Sequence, residues 1–176
     1  MAVHVVVISG SMGSGKTTVM AEASDLLTAS RVAHAAIDLD ALGVGYLPDD
    51  TWNDLTYRNL ASLWANYRVA GVTRLLIAEA VENRAELDVI RNAIPDSEIL
   101  VCRLKARLAT MQQRVLTREP GMLQERLVAR VAALEAMLDT AGLEDFVVEN
   151  DNRSVTEVAH RILVRAGWLS PISGAK

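Results

Sequence analysis

The sequence predicts an α/β protein with a parallel sheet of about five strands joined by right-handed crossovers. Three observations carry that expectation. Short apolar runs alternate with helical patterns along the whole chain. The first run, Val3–Ile8, is almost unbroken in β-branched residues, as expected of a strand buried on both faces. No internal repeat, low-complexity tract or dividing linker interrupts the 176 residues, a length that suits one domain with a full core. One domain is therefore expected over residues 1–170, with 171–176 as a flexible tail.

Taken in order, Lys16 to about Thr28 has helical apolar spacing through Val19, Met20, Ala23, Leu26 and Leu27. Arg31–Leu39 reads as a second strand ending in acid, with His34 as a packed or edge histidine. Ala41–Asp50 holds two glycines and a proline and reads as a loop. Asp50 or Thr51 can cap the next helix, Trp52–Ala70, which carries a broad apolar stripe including Leu55, Leu60, Leu63 and Trp64. Thr73–Ala80 reads as a third strand. Glu82–Ala93 reads as a helix that Pro95 terminates. Glu98–Leu104 is the fourth expected strand, and Cys102 within it is expected to be a buried structural thiol. Two further helices, Ala106–Glu119 and Met122–Thr140, are separated by a Pro120-Gly121 break. Asp145–Glu149 is a fifth strand. Ser154 with Glu157 three residues on forms a capping box for the last helix, ending near Gly167.

Composition excludes several classes. Hydrophobic residues make up 51% and charged residues 23%, an ordinary globular balance. A net charge of -4 argues against a general nucleic-acid binder, which needs a basic face. One cysteine permits neither an internal disulfide nor a cysteine zinc site. No apolar stretch reaches membrane-spanning length, and the N-terminal run does not read as a signal peptide. A cytoplasmic protein is the expectation, with no membrane partner. Oligomeric state is left open, a homodimer included.

The chemistry begins after the first strand. Gly10, Gly15, Lys16 and Thr17 fit G-x-x-x-x-G-K-[ST], with Ser11, Met12, Gly13 and Ser14 between the glycines and Thr18 following. Such a loop turns backbone N–H groups toward phosphate oxygens, and the helix behind it adds the positive end of its dipole. Lys16 reaches the β- and γ-phosphates, and the Thr17 hydroxyl ligates Mg²⁺. The acidic triplet Asp38-Leu39-Asp40 falls at the end of the second strand, where an open parallel sheet binds its ligands. If the strand continues that far, both carboxylates face the crevice. One of them, with Thr17, would hold the metal, and the other would act on an acceptor hydroxyl. An arginine-rich helix follows, with Arg107, Arg114 and Arg118, then Glu119-Pro120-Gly121, then Arg126 and Arg130. Arg114 and Arg118 share a helix face. The Pro-Gly break suggests a lid, about residues 114–126, that carries them onto a transferring phosphoryl group. Finally, in the turn Glu149–Arg153, Arg153 could stack on a base and backbone groups could read the base edge.

Together these residues resemble the P-loop kinases of small molecules and nucleoside monophosphates. The nearest flavours are shikimate kinase, gluconate kinase, adenylylsulfate kinase and chloramphenicol phosphotransferase. The resemblance rests on GSMGSGKT, the acidic DLD, the arginine lid and NDNRS, in that order. It implies a three-layer fold with sheet order 2-3-1-4-5, a mobile lid, Mg-ATP as phosphoryl donor, and an acceptor bound beyond the second strand. The implied acceptor wall includes Trp52, Asp54, Tyr57 and Arg58, with Arg58 placed to bind an anionic group. The chain departs from shikimate kinase after the third strand, where Ala78-Glu79-Ala80-Val81-Glu82-Asn83 replaces a glycine cluster. That acidic segment disfavours an anionic acceptor, and Glu79 stands where many P-loop proteins place a metal-directing aspartate. The expected function is an ATP-dependent phosphotransferase acting on a small metabolite, nucleotide or drug. The alternatives are a regulatory ATP-binding protein without activity and a GTPase-type switch. The latter is disfavoured because none of the three lysines lies in an N-K-x-D turn.

Overall fold

A computed structural model describes residues 2–45, 52–118 and 120–171, apart from the side chains of Trp52 and Asn53. The expected cap at Asp50 or Thr51, the loop from Tyr46 to Asp50, the Trp52 wall contact, Glu119 and most of the tail lie outside the described residues.

Five strands form one parallel sheet: β1 (Val3–Ser9), β2 (Ala35–Asp38), β3 (Arg74–Ala78), β4 (Ser97–Lys105) and β5 (Phe146–Glu149). Their order is β2-β3-β1-β4-β5, and every pairing is parallel. Around them run α1 (Lys16–Ala29), α2 (Leu39–Leu42), α3 (Trp52–Val69), α4 (Arg84–Ala93), α5 (Leu108–Arg118), α6 (Gln124–Ala141) and α7 (Val155–Arg165). The central strand explains its own composition. Val6 and Ile8 enter a core with Val19, Leu27 and Ile162, whereas Val5 and Val7 enter a second core with Leu60, Trp64 and Ile90. Alternate residues face opposite layers, so both sets must be apolar. Cys102 is fully buried in the first of these cores, and burial pushes its thiol up to about 12.

Several boundaries differ from the sequence expectation, each for a local reason. β2 begins at Ala35 rather than Arg31, because Arg31 takes a left-handed turn, φ 55°, after α1. It ends at Asp38, where the side chain accepts a hydrogen bond from the Asp40 N–H and starts α2. Ala41 and Leu42 are therefore helical rather than loop. β3 stops at Ala78, since Glu79 turns its carboxylate back onto the Ala80 N–H and the Val81 N–H donates to Ser9 Oγ. α4 starts at Arg84 because the Asn83 side chain accepts from Glu86 N–H.

The capping box at Ser154 and Glu157 is formed in both directions. Substituting Ser154 by Ala is expected to lower unfolding free energy by about 1 kcal/mol, read from a urea denaturation midpoint. An unchanged midpoint would show that α7 is held by its apolar face alone.

Candidate active site

The loop between β1 and α1 is shaped by what surrounds it. Gly13 and Gly15 hold positive φ values of 76° and 101°, a region that side chains rarely enter. A Cβ on Gly13 would collide with the Met111 carbonyl. One on Gly15 would sit 2.6 Å from Asn150 Nδ2, and one on Gly10 would sit 2.7 Å from the Leu104 carbonyl. Inside this turn the Lys16 ammonium donates to the Gly10 carbonyl at 3.0 Å. Burial lowers the Lys16 pKa, and the charge of Arg118 adds to that; Asp40, Glu79 and Asp38 act in the opposite sense. A buried ammonium ringed by carboxylates and a guanidinium is suited to an anion arriving from outside.

The outer side of the loop is fastened by residues far away in the chain. The Asn150 side chain, 8% exposed, donates to the Ser14 carbonyl at 2.6 Å. The Arg114 guanidinium donates to the carbonyls of Gly13 at 3.1 Å, Ser14 at 3.4 Å and Asn150 at 3.2 Å. Ser11 is fully buried and its hydroxyl donates to the Val131 carbonyl on α6 at 3.0 Å. Met12 packs beside Met111, Val115 and Val131. Ser11 and Met12 therefore anchor the loop to α5 and α6. Ser14 Oγ is buried with no hydrogen-bond partner, while Thr18 is exposed on the first turn of α1.

Beside Lys16, the Thr17 hydroxyl donates to Asp38 Oδ2 at 2.6 Å. Two hard oxygen donors thus meet at the start of α1. Among the described residues there is no group of three or more His, Cys, Asp or Glu side chains able to hold a metal. The Thr17 hydroxyl and the Asp38 carboxylate are oxygen donors of the kind Mg²⁺ takes, one or two from the protein with phosphates and water for the rest. The two acidic residues do not lie along one strand as the sequence expectation assumed. Asp38 ends β2, Leu39 is buried, and Asp40 is turned by the first residues of α2. Asp40 lies instead on the wall of a cavity of about 590 Å³ that also meets Asp54, Tyr57, Glu79, Glu82 and Glu86. Burial, then the charge of Asp40, raises the Glu79 carboxyl to about 7. Burial and the charges of Glu79, Glu86 and Glu82 push the Tyr57 phenol upward.

The arginines separate into different settings. Arg118 is exposed at the end of α5, with its charge felt at Lys16. Arg130 reaches from α6 to Glu82 at 3.0 Å and lines the cavity. Arg58 is exposed and does not line that cavity, and Arg126 is also exposed. Arg107 donates its N–H to Asp151. Arg153 lines a larger groove of about 740 Å³ with Leu26, Val147 and His160, on the β5–α7 side. That groove contains none of the carboxylates whose charges reach Lys16, whereas the cavity beside Asp40 contains two of them. Sequence reasoning named the turn around Asn150 but missed the Asn150 bond to the loop. The available signal was an amide side chain directly after the last strand, at the carboxyl edge where the loop also ends.

No protein-family model and no curated relative matches the chain. Solved structures do. A tunicamycin resistance protein from Deinococcus radiodurans is similar at TM-score 0.65 and 16% identity, covering 96% of this chain and 98% of that one. A sugar kinase from Janibacter sp. HTCC2649 is similar at TM-score 0.61 and 21% identity, covering 93% and 94%. A gluconokinase from Sinorhizobium meliloti 1021 is similar at TM-score 0.61 and 18% identity, covering 94% and 91%. At these identities the likeness establishes the fold, which is the P-loop kinase fold with its expected strand order.

Two outcomes follow from this geometry. Asn150→Ala removes the shorter of two donors to the Ser14 carbonyl, which keeps Arg114, and is expected to cost about 0.5–1.5 kcal/mol of stability, measured by chemical denaturation. Glu79 has a folded pKa above its ordinary value of 4.5. Its contribution to stability is full below the unfolded pKa and is lost as pH rises through about 7. Glu79→Gln should therefore gain thermal stability relative to the parent chain as pH is raised across that window. Parallel pH profiles for the two chains would contradict the assignment.

Proposed function

We propose that the chain is a phosphotransferase that moves the γ-phosphoryl group of Mg-ATP to a hydroxyl or phosphate of a small acceptor. The observation that carries this reading is electrostatic: the charges of Asp40 and Glu79 act on the Lys16 ammonium. Lys16, Thr17 and Asp38 would form one half of the site, and the cavity lined by Asp40 and Glu79 would form the other. The similarity in fold to kinases of small molecules supports it. A protein that only binds nucleotide has no need of the second half.

The loop from Gly10 to Thr17 would bind the phosphates through its N–H groups, with Lys16 as the mobile charge. Thr17 and Asp38 would hold Mg²⁺, which would supply neutralisation of the phosphate charge. Asp40 lines the acceptor cavity and accepts the proton of the attacking hydroxyl as the new P–O bond forms. The bond to the β–γ bridging oxygen breaks, and the nucleoside diphosphate carries off that electron pair. Arg118, within electrostatic reach of Lys16, stabilises the charge spread over the transferring group. Arg114 holds the loop in shape while Arg118 acts at its mouth; the segment about 114–126 serves as the lid. Because Arg153 lies away from this mouth, we assign it no more than a peripheral role toward the base.

Lys16→Ala and Asp38→Ala are each expected to lower ATP-dependent turnover by about a hundredfold or more, with an unchanged circular dichroism spectrum. Asp40→Asn should reduce turnover while retaining Mg-ATP affinity by titration calorimetry. ATP-dependent turnover that survives Lys16→Ala would sink the mechanism.

A further inference from the structure

The acceptor cavity carries two carboxylates, Asp40 and Glu79, whose charges reach Lys16, and its own charge then restricts what it can hold. Five carboxylates line it, from Asp40, Asp54, Glu79, Glu82 and Glu86. One guanidinium, that of Arg130, reaches the wall, and it is engaged by Glu82 at 3.0 Å. No other Lys, Arg or His lines the cavity among the described residues. The undescribed stretch 46–51 contributes none to the chain either. Lys16 interacts electrostatically with Asp40 and Glu79, and its ammonium is committed to the phosphates in the reading above. A nucleotide bound there would offset that charge and would add negative charge of its own.

An anionic acceptor in this setting meets repulsion on every side. A neutral polyol gains hydrogen bonds but leaves the carboxylates uncompensated. A protonated amine compensates them, and the wall offers an aromatic surface for it as well. The Tyr57 ring lies among Glu79, Glu82 and Glu86, and an aromatic face flanked by carboxylates is a recurrent way to hold an ammonium group. The high Glu79 carboxyl has burial as its first cause and the charge of Asp40 as its second, so carboxylates of this wall already act against one another.

We infer that the acceptor is an alcohol bearing a protonated amine, of the amino-sugar or amino-alcohol class. This inference rests on the phosphotransferase reading of the same crevice. Arg130 and Glu82 then close the α6 side of the cavity, and Asp54 and Glu79 are the carboxylates that select for the amine.

The test uses the full chain, Mg²⁺ and matched triads that differ only in charge. Glucosamine, glucose and glucuronate form one triad; ethanolamine, ethylene glycol and glycolate form another. Binding of a non-hydrolysable ATP analogue is measured first by calorimetry. Thermal shift with the analogue present and ADP release with ATP are then recorded for each compound. The amine is expected to raise the melting temperature and to turn over roughly tenfold or more better than its neutral counterpart, with the acid inactive. In the Asp54→Asn, Glu79→Gln double variant the ratio of amine to neutral compound should collapse toward one. If the analogue binds and no amine exceeds its neutral or acidic counterpart, this inference is overturned and the phosphotransferase reading stands. A preference that persists in the double variant also overturns it. If the analogue does not bind, both readings fall together.

Discussion

A phosphate loop has to keep its amide hydrogens free for an anion, so it must be held in shape by something else. In this chain it is held by its oxygens. Asn150 and Arg114 donate to the carbonyls of Gly13 and Ser14, Lys16 donates to that of Gly10, and the Ser11 hydroxyl reaches Val131. Two consequences follow. The loop's shape depends on α5, α6 and the turn after β5, which are distant in sequence and converge on it. The loop also cannot tolerate a Cβ at Gly13 or Gly15, since the space outside is occupied by the Met111 carbonyl and the Asn150 amide. The positive φ values are thus accompanied by close approach, and either alone would favour glycine.

The same constraint sorts the arginines. Two arginines four residues apart share a helix face, but the face is long enough to meet different things. Arg114 lies over the loop and spends its planar donor fork on three carbonyls. Arg118 is one turn further on, past the loop, where its charge acts on Lys16. Lysine at position 114 would lose the geometry that lets one side chain span Gly13, Ser14 and Asn150.

What could be read from the chain beforehand follows from the range of the interactions concerned. The strands were legible because burial on both faces imposes apolar residues from Val5 to Ile8 of β1. The loop was legible because its chemistry is local, with eight consecutive residues carrying the motif. The bonds that hold the loop were not read, since Asn150 and Ser14 are 136 residues apart and the position of Asn150 directly after the last strand names the sheet edge but not its partner. The acceptor wall was partly legible. Glu79 follows directly from the end of β3, and so its place was readable. Arg58 was not, because which side of α3 faces the crevice is settled by packing of Leu60 and Trp64 into the core. The acidic pair was read with the right neighbourhood but the wrong geometry. A strand would have carried both carboxylates to one face, whereas the Asp38 cap turns the chain into α2 and leaves Asp38 beside Thr17 and Asp40 on the cavity wall.

The helix α6 decides which parts of the arm beyond β4 are able to move. Along its length it is tied to three separate places: Val131 to the loop, Arg130 to Glu82 at the acceptor wall, and Glu135 to Arg103 on β4 at 2.8 Å. Arg103 is 1% exposed, and Asp139 lies between it and Lys105, at 2.6 Å from the latter. A buried pair of this kind is weak evidence for net stability, yet breaking it by removing one partner costs about 3–5 kcal/mol because a charge is left stranded. Swinging α5 and α6 as one rigid body would require that cost together with loss of the Ser11 bond. The segment from Pro120 to Leu123 is exposed, and nothing comparable in burial fixes it to the sheet. The body of α6 is therefore a fixed support for the loop, the cavity wall and β4 together, because a shift of that helix would disturb all three ties at once.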